Sequence, residues 1–151
     1  MKKFSEFIVE EQENLNEGII TGLIGLAAGI ASTVAAVISA PLVVPVTTGI
    51  MIMGIIETIS SVINDGKDGN ITLNIKDNIE KFKNKRIAKN LTQAEAEKIL
   101  KDVEDMKSKL SGARKGAITK LQNELEVAFR NEDDAKVGKI IKNFVKRLED
   151  N

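Results

Sequence analysis

Three features of this sequence predict an all-α chain in which an apolar helical hairpin precedes a small helical bundle. The thirty-nine residues from Gly18 to Ile56 contain no Asp, Glu, Lys or Arg. Pro41 and Pro45 interrupt that run near its middle. Beyond Asn64, apolar residues recur at helical spacing between recognisable helix caps. These features divide the chain into an N-terminal segment (1–17), the hairpin (18–63), a linker (64–72) and the bundle (73–151).

The N-terminal segment carries Lys2 and Lys3 against Glu6, Glu10, Glu11, Glu13 and Glu17, a balance of −3. Phe4, Phe7 and Ile8 share one face of a short amphipathic helix. Its apolar patch is too short for a secretory signal, and acids follow at once.

About 20 apolar residues cross the hydrocarbon core of a bilayer. Gly18 to Ala40 provides 23 and Leu42 to Ile63 provides 22, so the sequence predicts two membrane-spanning helices. Prolines 41 and 45 remove backbone donors and push the preceding residues out of the helical region, which places the hairpin tip there. A Gly/Ala-rich helix pair buried in a water-soluble fold is the alternative. Within the first span, Gly18, Gly22, Gly25, Gly29, Ser32 and Ala36 form a seam of small side chains at heptad spacing. In lipid such a seam lets backbones approach closely, against the second span or against another copy. Gly54, Thr58 and Ser61 continue the spacing in the second span. Glu57 is the ionisable group of that span and lies within reach of the interface by snorkelling.

The linker Asp65-Gly66-Lys67-Asp68-Gly69-Asn70 is rich in turn-forming residues. A helix follows from about Leu73 to Lys89, with Ile75, Ile79 and Phe82 on one face. Thr92-Gln93-Ala94-Glu95 is a capping box for the next, whose apolar residues run from Ala96 to Leu110 before Ser111-Gly112. Ile118, Leu121, Leu125 and Phe129 mark a helix from about Ala113 to Arg130. Asp133 and Asp134 suit the start of a last helix carrying Val137, Ile140, Ile141, Phe144 and Leu148. Residues 64–151 hold 20 basic and 16 acidic side chains. One basic cluster includes Lys76, Lys81, Lys83, Lys85, Arg86 and Lys89, and a second includes Lys136, Lys139, Lys142, Lys146 and Arg147. Lys81, Lys83, Lys85 and Arg86 are candidate contacts for phosphate, from anionic lipid or from DNA, although a solvated helix face is the commoner explanation of such runs, since acidic residues are interspersed nearby. Basic residues after the second span and an uncharged hairpin tip predict that both termini face the cytoplasm if the hairpin spans a membrane.

Cysteine and histidine are both absent, which excludes disulfides, thiolate nucleophiles, the usual zinc sites and histidine-based catalysis. Glu95/Glu97 and Glu104/Asp105 lie among lysines on a mixed-charge face, and Gly22-Leu23-Ile24-Gly25 lacks the Lys-Ser/Thr pair of a phosphate loop. No catalytic residue, cofactor or metal is therefore expected. The chain has five Phe and no Tyr or Trp, so it lacks the aromatic belt common at membrane interfaces.

The start Met1-Lys2-Lys3-Phe4-Ser5-Glu6-Phe7-Ile8-Val9-Glu10 resembles the capsid-targeting propeptide of internal head proteins of T-even-like tailed bacteriophages. Those begin with Met-Lys, an aromatic residue, Glu-Phe-Ile and a Glu, and a prohead protease cuts after Glu in an Ile/Leu-x-Glu sequence. Ile8-Val9-Glu10 matches that site, and Leu15-Asn16-Glu17 matches it again before Gly18. The resemblance covers ten to seventeen residues. It implies delivery into the phage head and trimming by the prohead protease, with capsid or scaffold as partners. Combined with the apolar hairpin, it leads to the expectation of a virion protein that enters or perforates the host inner membrane after ejection, as a homo-oligomer through the hairpin. Two alternatives stand beside it. One is a small membrane protein made in the infected cell, acting as a holin-like pore former or exclusion factor. The other is a soluble helical scaffold or DNA-condensing internal protein whose hairpin is buried between subunits.

Overall fold

The computed structural model describes the backbone of residues 4–65, 71–89 and 91–150, and the side chains of residues 18–61, 71–89 and 91–148. The fold is all-α: α1 (Phe4–Ala35), α2 (Ala40–Asp65), α3 (Ile71–Ile87), α4 (Gln93–Ser108), α5 (Gly112–Arg130) and α6 (Asp134–Asp150). The two apolar helices come first and the helical bundle follows, as the charge-free run and the later caps predict.

The hairpin is not a module apart from the bundle. Helix α2 runs through its centre and packs against α1, α3, α4 and α5. Every residue from Val46 to Ile56 is buried. A helix wrapped on all sides has no face left for charge, so these neighbours account for its apolar character. Ile50, Met51, Ile52, Met53 and Ile55 are among the largest fully buried side chains, each worth roughly 1.5–3 kcal/mol of burial.

Close approach is built at glycines of α2, not of α1. A Cβ on Gly54 would stand 2.7 Å from the backbone nitrogen of Ile79, so α2 and α3 touch there nearly backbone to backbone. Thr58, one turn on, donates its hydroxyl to the Gly54 carbonyl at 2.9 Å and accepts from Asn78 Nδ2 at 2.8 Å. At Gly49, a Cβ would meet Val103 Cγ2 of α4 at 3.1 Å. On α6, Gly138 leaves room for Ile20 and Ile24 of α1, each with a methyl 3.4 Å from the Cβ position.

Several boundaries differ from the expectation. Residues 36–39, not the two prolines, make the hairpin turn. Val37 N–H and Ile38 N–H both close on the Val34 carbonyl, and Ser39 N–H donates to Gln93 Oε1 of α4 at 3.3 Å. Pro41 falls in the first turn of α2, where a missing N–H costs nothing because that donor has no intrahelical acceptor. Pro45 lies inside the helix and removes one bond of its ladder. Helix α2 continues to Asp65 and α3 begins at Ile71, so both ends of the expected 64–72 linker are helical. Helix α1 runs unbroken from Phe4, which joins the expected N-terminal segment to the first apolar span as one backbone helix.

The outer helices are capped as their sequences suggest. Thr92 Oγ1 accepts from Glu95 N–H at 3.2 Å. The Glu95 carboxylate turns instead to Arg86 Nη1 at 3.4 Å, so only half of the capping box forms. Gly112 opens α5 instead of closing α4. Between α5 and α6, Glu132 adopts φ 52, and the bonds Glu132 N–H to Phe129 O and Asp133 N–H to Ala128 O complete a Schellman closure.

Candidate membrane-facing helix and basic surface

Helix α1 buries one stripe, Ile20, Leu23, Ala27, Ile30 and Val34, at alternating spacings of three and four. At about 100° per residue, positions two away from this stripe fall on the opposite side of the helix. That side holds the small-residue seam. Nothing lies within 4 Å of a Cβ placed on Gly18 or Gly25, and Ser32 and Ala36 are exposed. Gly22 and Gly29 are half-buried beneath lysines of α3: the Cβ positions are 3.4 Å from Lys76 Nζ and 3.5 Å from Lys83 Nζ. The seam therefore does not seat α2. Within one chain it presents an outer face whose own residues are uncharged, with the Lys76 and Lys83 ammonium groups laid over Gly22 and Gly29 on one flank.

The two apolar segments are consequently unlike in their surroundings. Both Gly18–Ala35 and Ala40–Ser61 are long and apolar enough to cross a bilayer, but 72% of the second is buried and only 28% of the first. Burial explains the composition of α2. It does not explain α1, where Gly18, Thr21, Gly25, Ala28, Ser32 and Ala35 all face outward without a charge among them. Glu57 is exposed at the surface of the bundle, so the acid of the second span is already solvated in this fold.

The four basic residues singled out on α3 do not act as one patch. Lys81 and Lys85 are exposed, whereas Lys83 is half-buried with its Nζ over Gly29 of α1. Arg86 is tied to α4: Nη2 lies 2.7 Å from Asp102 Oδ2 and Nη1 3.4 Å from Glu95 Oε1, with the side chain 18% exposed. Its guanidinium is a staple between α3 and α4, not a free phosphate ligand. Spacing alone put Arg86 beside Lys85. The carboxylates that claim it come from a different helix, which no local pattern reveals.

Ile8, Glu10, Leu15 and Glu17, the residues of the two candidate cleavage sites, belong to the α1 backbone helix, but their side chains lie outside the described residues. Among the described residues no group of His, Cys, Asp or Glu is arranged to hold a metal ion. Buried polar side chains the sequence reading missed include Lys107, whose Nζ donates to Gln122 Oε1 at 2.9 Å and to Glu104 Oε1 at 3.3 Å. Compared with protein-family models, with curated proteins and with solved structures, the chain matches none.

Proposed function

We propose that this chain is a tailed-phage virion protein, packaged through its N-terminal segment, whose α1–α2 hairpin enters the host membrane after ejection. The observation that carries the membrane part is the outer face of α1. A helix only 28% buried over Gly18–Ala35 has water-facing positions that ordinarily hold charge, and here they hold none. Lipid, or a second copy of the same face, is an environment in which that composition is favourable. The packaging part is supported by the N-terminal resemblance and its two Ile/Leu-x-Glu sequences.

Insertion on this reading is a rearrangement. Lipid tails are about as apolar as the core α2 leaves, so moving α2 from bundle to bilayer changes its hydrophobic burial little. The barrier is the separation of α2 from α3, α4 and α5, beginning with the Gly54–Ile79 contact. Exposed lysines on α3, Lys81 and Lys85, would meet anionic headgroups as the hairpin inserts.

The alternative with structural support is a soluble bundle whose α1 outer face pairs with another copy, since one chain already shelters α2. Mass spectrometry of purified virions and carbonate washing of infected-cell membranes separate the readings. Virion copies beginning at Glu11 or Gly18, together with carbonate-resistant protein after infection, are expected. Absence from virions with membrane retention leaves the locally made membrane protein. A detergent-free soluble oligomer found in neither fraction refutes both membrane readings.

A further inference from the structure

Helices α5 and α6 enclose a groove of about 630 Å³, open to solvent along one side. Its floor is apolar: Leu121 from α5, with Ile140 and Phe144 from α6. Its rim is basic. Lys120 stands on one wall and Lys136 and Lys139 on the other, all exposed, and none of these ammonium groups is ion-paired among the described residues. Arg147 adds a further guanidinium to the lining. Two acids also line the groove, of which Asp133 caps α6, accepting from Lys136 N–H at 3.1 Å. A hydrogen bond leaves a carboxylate's charge in place, so Asp133 and Glu124 together set two negative charges against the four cations of the lining.

Such a groove differs from a solvated helix face in one respect: the cations come from two helices and converge over an apolar floor. The volume falls within the roughly 300–1,000 Å³ of small-molecule sites. It is too small for a folded partner. We propose that the α5–α6 groove binds a single-chain anionic amphiphile, with a carboxylate or phosphate head among Lys120, Lys136 and Lys139 and an alkyl chain over Leu121, Ile140 and Phe144. Charge complementarity selects the head, and the floor selects a tail over a free anion. No residue of α1 or α2 lines the groove, but α5 packs on α2 and α6 on α1, so the site belongs to the bundle in which the hairpin is still packed.

The test is amide chemical-shift titration of the full-length protein with decyl phosphate and with decanoate, each below its micelle concentration. Inorganic phosphate and uncharged decyl maltoside are the comparison ligands. Saturable shifts centred on Leu121, Ile140 and Phe144 are expected for the anionic amphiphiles, with binding at least tenfold weaker to the comparison ligands. Phosphate against carboxylate preference identifies the head. Lys136→Gln with Lys139→Gln, both at exposed positions, should weaken binding by tenfold or more, and Ala117→Trp, at the exposed edge of the groove, should block the tail. Equal binding of inorganic phosphate, equal binding of decyl maltoside, unchanged affinity in the double glutamine variant, or no saturable shift at the groove would each overturn the assignment. If Ala117→Trp disturbs the fold, the glutamine pair and the comparison ligands still decide it.

Discussion

Replacing Gly54 by alanine tests whether α2 is the packed centre of this molecule. The new Cβ would lie 2.7 Å from both Ile79 N and Ile79 Cγ1 and 2.9 Å from Ile79 Cα, where 3.4 Å begins ordinary contact. Two of those three atoms are backbone, so no rotamer change relieves the clash. Helix α3 must retreat by roughly 0.7 Å, a gap that forfeits about a quarter to a half of each contact's roughly 0.1–0.2 kcal/mol. Spread over about 60 atom pairs, the loss is about 3 kcal/mol. Alanine's helix propensity returns roughly 1 kcal/mol, leaving a net destabilisation of about 2 kcal/mol, within the usual range for overpacking. Gly25→Ala is the matched control, since nothing lies within 4 Å of its Cβ position. It should stabilise the protein by up to about 1 kcal/mol. Urea titration followed by helical circular dichroism reads both, and with a slope of about 1–3 kcal/mol per molar the Gly54→Ala midpoint should fall by about 1 M. A Gly54→Ala midpoint at or above that of the wild type would refute the close α2–α3 approach, and with it the placement of α2 in the core.

Three further outcomes follow from single residues. Glu132→Gly should stabilise the protein by about 1 kcal/mol in the same titration, because Glu132 holds φ 52 and is exposed, so a side chain is strained there and contributes no packing. Thr48→Val should also stabilise, by roughly 1–2 kcal/mol, since the fully buried Thr48 hydroxyl has no hydrogen-bond partner and valine keeps its shape; equal or lower stability would mean that the hydroxyl is satisfied. Arg86→Ala should cost about 1–3 kcal/mol by releasing Glu95 and Asp102, whereas Lys81→Glu with Lys85→Glu, both exposed, should change stability by less than about 0.5 kcal/mol. A charge-reversal probe of phosphate binding on α3 should therefore spare Arg86, and similar losses in the two variants would refute the α3–α4 staple.

What the sequence determined by itself was helical class, the two apolar helices, the four helices of the bundle and most of their starts. Those follow from local chemistry: the Thr92 hydroxyl caps the residues next to it, Asp133 caps α6, and the spacing of Ile118, Leu121 and Leu125 marks a buried stripe whatever it packs against. The apolar run was legible as two helices for the same reason. Its surroundings were not, because a helix wrapped by four neighbours and a helix wrapped by lipid need the same composition. Tertiary structure decided that α2 lies inside, that Gly54 and not the α1 seam makes the close contact, and that the seam faces outward. It also decided the fate of Arg86 and the convergence of Lys120 with Lys136 and Lys139. Each depends on which helices become neighbours, a choice set by the summed packing of the whole chain and carried by no single segment.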